Sequence, residues 1–285
     1  MKTSAKIARG ALATAELGGR GRSGRAFTLV ELLVVIGIIG VLVGLLVPAI
    51  AYGRFRAKVA ICTGNFRQWA IASATYATDD GRGRLPSFQL PTTTSKLSNY
   101  SALEPWFVAI PMITNMGSYG VTARMWFCPT HEERWRNADE FRRFKSGGRG
   151  IVTPADLDTY YRLDQKASIA FPDLFWWVPR PLEGSSTLVF PDPRQLRTRI
   201  PDSWPTKLED ASAGIQPIAS DWLVGTWDDD LKQVTSSGLS HSFGGKVRNN
   251  NAAFADGHVE TRPWSDVKWQ MIQGGGAAGY RAYLY

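Results

Sequence analysis

From Leu32 to Ala51 the chain runs without a charged residue. Twenty helical residues rise about 30 Å, the thickness of a bilayer's hydrocarbon core. With Phe27 to Val30 included, the run is too long for the apolar region of a simple signal peptide, and it lacks the polar face of a core helix. It predicts a membrane-spanning helix over residues 27–51, with small residues at Gly37, Gly40 and Gly44 for close helix approach and a helix-loosening proline at Pro48. The pattern then changes. Tyr52, Phe55, Val59, Cys62, Phe66, Trp69, Ser73 and Tyr76 recur at alternating intervals of three and four, while Arg54, Arg56, Lys58 and Arg67 lie off that stripe. This spacing predicts an amphipathic helical stem over residues 52–78. Bulky aromatics to the end of the stripe favour packing on a globular domain over lying on a membrane surface.

Residues 79–285 read as one globular domain with long loops. Trp126-Phe127-Cys128 is a strand candidate stopped by Pro129. Thr130 with Glu133 is a capping-box pattern that opens a polar helix to about Lys145, and Thr153-Pro154-Ala155-Asp156 opens another. Residues 168–178, 186–190 and 215–224 are β-branched and aromatic and read as strands. Residues 246–262 read as a hairpin with Asn249-Asn250 and Asp256-Gly257 as turn sites. Ser265 is a cap candidate for a short helix carrying Trp269, and Gly274-Gly275-Gly276 opens a tail. The fold class is α+β: a long N-terminal helix, membrane-spanning then amphipathic, packed on an antiparallel β-sheet domain.

Charge sharpens this picture. The 285 residues hold 33 Lys+Arg against 25 Asp+Glu, a net charge of +8. Lys2, Lys6, Arg9, Arg20, Arg22 and Arg25 against Glu16 place +5 of that before Phe27. The basic excess therefore belongs to a leader at residues 1–26 and gives little reason to expect a nucleic-acid partner. Arg54, Arg56, Lys58 and Arg67 also follow the apolar run closely, so flanking charge does not orient the span by itself.

The block Ala26-Phe27-Thr28-Leu29-Val30-Glu31-Leu32-Leu33, followed by the apolar run, resembles the processing site of type IV prepilins and type II secretion pseudopilins. The resemblance implies cleavage by prepilin peptidase between Ala26 and Phe27, where Gly is more usual than Ala before the cut, and N-methylation of Phe27. It implies that Glu31 neutralises a neighbouring subunit's terminal amine during assembly. It also implies an inner-membrane protein with a cytoplasmic amino terminus and an extracytoplasmic domain, partnered by other pilin or pseudopilin subunits and by membrane lipid. The stem, with Cys62-Thr63-Gly64-Asn65-Phe66-Arg67-Gln68, resembles a broad group of prepilin-like proteins. His241 with Phe254-Ala255-Asp256-Gly257-His258 resembles a carboxy-terminal His…Asp-Gly element of that group, with a longer interval between His241 and Asp256.

Other chemistry is sparse. Cys62 and Cys128 form either a disulfide, closing a loop worth about 4 kcal/mol in the chain-entropy model, or two buried thiols. His241, Asp256 and His258 are metal-ligand or acid–base candidates, against the simpler reading of Asp256-Gly257 as a turn and His241 as a structural partner. Asp228-Asp229-Asp230 is a weak calcium candidate without the spacing of an EF-hand. No Gly-rich phosphate loop, zinc-ligand array or nucleophile elbow is present, and the chain does not read as an enzyme. Its eleven tryptophans leave an alternative, a membrane-anchored domain that binds glycan or a surface ligand, with Trp176-Trp177 the leading exposed pair.

Overall fold

The computed structural model describes residues 27–91, 105–184, 196–198, 204–226, 240–273 and 281–284. The expected leader, the 186–190 strand, Asp228-Asp229-Asp230 and the Gly274–Gly276 tail lie outside them. The chain divides into two units, residues up to Ala49 and residues from Ile50 onward.

Helix α1 (Leu29–Asp79) is continuous through Pro48. In the first unit its apolar side chains are exposed, and it is the helix long and apolar enough to cross a membrane. In the second unit the predicted stripe is buried: Phe55, Val59, Cys62, Phe66, Trp69 and Ser73 face the domain, joined by Ala70, Ala72 and Ala77. Helix α1 thus carries an apolar surface with two destinations, one without protein cover and one filled with aromatic side chains.

The second unit is α+β. Val108–Ala109 (β1) pairs antiparallel with Ile169–Ala170 (β2). Helix α2 (Ile110–Gly117) starts with a proline near its first turn, where a missing N–H costs no helical bond, and buries Ile110, Met112, Ile113 and Met116. Helix α3 (Glu132–Ser146) carries Glu132 and Glu133 in its first turn and Arg143 and Lys145 in its last, complementing the helix dipole, and ends on Gly147 at φ 72°. Helix α4 (Pro154–Thr159) has the expected capping box, with Thr153 as the cap.

Strands β3 (Leu174–Trp176), β5 (Pro217–Asp221), β7 (His241–Phe243), β8 (Lys246–Phe254) and β9 (Val259–Pro263) form an antiparallel sheet. A further sheet orders Leu196–Thr198 (β4), Trp269–Gln273 (β10), Arg281–Leu284 (β11) and Val224–Thr226 (β6). Strand β8 organises the first sheet. Strand β9 pairs with it over Asn249–Ala253, β7 over Lys246–Asn249 and β5 over Ala252–Phe254. A strand has two edges, so β5 and β7, whose partners do not overlap, share one edge end to end.

Both faces of this sheet are covered. Leu174 and Trp176 enter the core that contains Phe66, Trp69 and Trp126, while Phe175 and Trp177 enter a second core with Trp106, Trp204 and Phe254. This overturns the expectation that Trp176-Trp177 is exposed: both rings are fully buried, because the alternation that points neighbours to opposite faces meets packed side chains on each. Their indole N–H groups donate to Pro86 O at 3.0 Å and Ser220 Oγ at 2.8 Å.

Four other expectations are corrected. Ala123–Trp126 is a 3-10 turn with Phe127 and Cys128 in the loop after it, not a strand. Thr130 lies in the 3-10 turn Pro129–His131, and His131 rather than Thr130 precedes α3. Trp264–Asp266 is a 3-10 turn and Trp269 begins β10, not a helix. Asn249-Asn250 lies within β8; the turn is earlier, at Gly244-Gly245, where positive φ suits glycine.

Candidate functional site

At the amino end, Thr28 and Glu31 cap α1 reciprocally. Thr28 N and Oγ1 donate to Glu31 Oε2 at 2.9 and 2.8 Å, and Glu31 N donates to Thr28 Oγ1 at 3.1 Å. This capping box starts the helix directly after Phe27 and holds the carboxylate over the first turn. Phe27 is exposed.

A second cluster lies inside the domain, where β5 ends and β7 begins on the shared edge of β8. Asp221 is the last residue of β5 and His241 the first of β7. Asn251 N, from the stretch of β8 between them, donates to Asp221 Oδ2 at 2.7 Å. His241 pairs in register with Asn249, which puts their side chains on one face, and His241 Nδ1 meets Asn249 Oδ1 at 2.6 Å. In the neutral ring, with that amide oxygen as acceptor, Nδ1 holds the proton and Nε2 faces the cluster with a lone pair. Nε2 is 3.4 Å from Asp221 Oδ2, is buried and makes no hydrogen bond.

Helix α1 brings Cys62 to the same place. Its Sγ donates to Asp221 Oδ1 at 3.4 Å and stands 3.9 Å from Cys128 Sγ. Cys128 arrives on the loop after the Ala123–Trp126 turn, fixed by its N–H donating to Asp173 Oδ2 at 3.0 Å and by Thr130 Oγ1 2.9 Å from its sulfur. Asp173 is itself paired with Arg134 at 2.8 Å. His131 Nε2, 3.0 Å from Ser240 O, supports the start of β7. The four ligand-capable atoms of Cys62, Cys128, Asp221 and His241 all lie within 4.8 Å of one another, and all four residues are buried.

Burial raises Asp221 to about 6, opposed by the His241 charge and the Asn251 hydrogen bond. Burial pulls the other way on His241, but the Asp221 carboxylate and Cys128 outweigh it and lift the imidazole to about 9. The contact with Cys128, together with burial and Asp221, holds the Cys62 thiol well above its usual range. Burial opposes ionisation of Cys128, yet Cys62 and His241 beside it bring its thiol well below that range.

These positions revise several sequence expectations. The two cysteines are adjacent but unbonded. His241 faces Asp221, a residue with no motif around it, whereas Asp256 lies in the β8–β9 turn and bonds His258 Nδ1 at 2.6 Å on the surface. Gly257, at φ 96°, donates its N–H to Phe254 O at 3.1 Å and closes that turn. The His258 ring stacks on Phe254 at 4.0 Å between centroids. The signal for Asp221 was a carboxylate ending a short buried strand whose only other polar side chain is Ser220, Pro217-Ile218-Ala219-Ser220-Asp221.

Residues 21–47 match the prokaryotic N-terminal methylation motif, and the long apolar helix follows from it directly. The amino terminus therefore carries a prepilin-type methylation motif. No curated protein and no solved structure matches the chain.

Proposed function

We propose that the chain is a prepilin-like, single-pass subunit of a type IV pilus or type II secretion pseudopilus, a structural protein rather than an enzyme. The observation that carries this is the methylation motif over residues 21–47 leading into a helix whose apolar side chains up to Ile50 are exposed. Prepilin peptidase would remove residues 1–26, leaving Phe27 as an N-methylated terminus and a mature side-chain balance of 27 − 24 = +3. Residues 27–51 would anchor the protein in the inner membrane with the domain outside the cytoplasm, and would pack against other subunits in the filament. Glu31, freed from Thr28, would meet the neighbour's terminal amine, an ion pair favoured by the low dielectric around it.

Amino-terminal sequencing of the protein from membranes tests the reading. Methyl-Phe27 supports it, and an intact leader refutes it. Glu31→Ala should leave membrane insertion unchanged and reduce recovery in sheared filaments; normal incorporation would refute the assigned role.

A further inference from the structure

We propose that Cys62, Cys128, Asp221 and His241 form a structural zinc site. Nothing in the amino-terminal motif bears on it, and it stands or falls independently of filament assembly.

The donor set carries the first part of the argument. Two thiols, an imidazole and a carboxylate suit zinc and disfavour magnesium and calcium, which select oxygen ligands. The geometry carries the second. Around a tetrahedral zinc with bonds of about 2.3 Å to sulfur and about 2.0 Å to nitrogen or oxygen, ligand edges are about 3.8 Å for S···S, about 3.5 Å for S···O and about 3.3 Å for N···O. The corresponding distances here are 3.9 Å between the two sulfurs and 3.4 Å from Cys62 Sγ to Asp221 Oδ1, the ligand oxygen; His241 Nε2 stands 3.4 Å from the other carboxylate oxygen, Oδ2. No pair among the four exceeds 4.8 Å.

The third part is the orientation of the ligands. His241 is fully buried, and its Nε2 points into the cluster without a hydrogen bond, which is costly for a polar atom away from water. Its Nδ1 is held by Asn249, the arrangement that fixes the tautomer of metal-bound histidines. Asp221 keeps one oxygen toward Cys62 while Asn251 N holds the other. His241, Asp221 and Cys128 are thus each held by a neighbour outside the ligand set: Asn249, Asn251 and Thr130.

Burial of all four ligands makes the site closed, which marks a structural rather than a catalytic zinc. Binding is not a redox step. The thiol protons, and the proton on Nε2 where the ring is charged, leave to solvent as two Zn–S bonds form and as Nε2 and the carboxylate each supply a lone pair. The ion would tie together α1, the loop after Trp126, the end of β5 and the start of β7.

The test is metal analysis of the full chain extracted in mild detergent without chelator. We expect about one zinc per chain, and at least a tenfold fall in Cys128→Ser, Asp221→Asn and His241→Ala. Because such variants can unfold, the wild-type protein is also stripped by chelator under reducing conditions and reloaded. Zinc should then protect both thiols from alkylation, and cobalt(II) should give thiolate-to-cobalt charge-transfer bands with tetrahedral d–d intensity. Retention of zinc in the variants would show adventitious metal and overturn the proposal. So would unprotected thiols after reloading, absent cobalt bands, or a Cys62–Cys128 disulfide peptide in protein from membranes.

Discussion

Trp69 is the residue through which the helical stem contributes most to the domain. It is fully buried, its ring meets Trp126 edge-on at 4.7 Å and Trp176 at 5.6 Å, and its Nε1 donates to Met125 O at 3.3 Å. Trp69→Ala removes all three contacts. Truncating a buried Trp or Phe costs about 3–5 kcal/mol. Within that, each aromatic pair is worth about 0.5–1.5 kcal/mol beyond its area. The long hydrogen bond belongs at the weak end of about 0.5–1.5 kcal/mol. We therefore expect a loss of about 4 kcal/mol. For a domain of this size 1 kcal/mol moves the melting temperature by about 2–4 °C, so the shift is about 8–16 °C. Thermal melting of the full chain in mild detergent, followed by near-ultraviolet circular dichroism, reads it. Ile61→Ala is the matched control: that side chain is on α1, about two turns toward the span, but exposed. Its cost should stay within about 0.5 kcal/mol. Equal shifts for the two variants, or a Trp69→Ala shift under about 3 °C, would refute the packed-stem reasoning.

Two further outcomes follow from local geometry. Burial opposes ionisation of Asp156, but hydrogen bonds from Thr153 and Val152 and the Arg149 ion pair outweigh it and hold its carboxyl below the usual range. The stability it lends α4 is thus fully present above the unfolded carboxyl's pKa, about 3.9, and is lost as pH falls through the lower folded value; Asp156→Asn should flatten the acid limb of a pH-melting curve, and an unchanged limb contradicts this. Gly257→Ala places a Cβ in open space but at φ 96°, so the cost, about 1–2 kcal/mol by thermal melting, is backbone strain alone; no loss would mean that the turn tolerates an L side chain.

How much of this was legible in the sequence depends on the range of the forces involved. Helix α1 was legible throughout, because both its apolar run and its stripe from Phe55 to Ser73 are periodic signals within one helix. The Thr153 cap and the Asp256-Gly257 turn are equally local. The Cys62–Cys128–Asp221–His241 cluster was not, since Cys62 and Asp221 are 159 residues apart and meet only after β5 and β7 align on β8. Asn249 to Asn251 misled for the same reason. Asparagines ordinarily mark turns, but here Asn249 holds His241 and Asn251 bonds Asp221, Thr63 and Thr261, so tertiary hydrogen bonds override the local preference. Trp176-Trp177 shows the limit of strand alternation: it separates two faces but does not say whether a second core covers the other one.

The shared edge of β8 has a consequence for how this chain can change. The backbone leaves that edge after Asp221 and returns to it at His241, beside the place it left. Departure and return form a neck, held on one side by Asn251 and on the other by Asn249. Residues added or removed after β6 and before His241 would alter neither register on β8, because each flank is indexed separately to that strand. The neck is therefore a natural port for variation, where a change of length leaves the pairing on β8 in place.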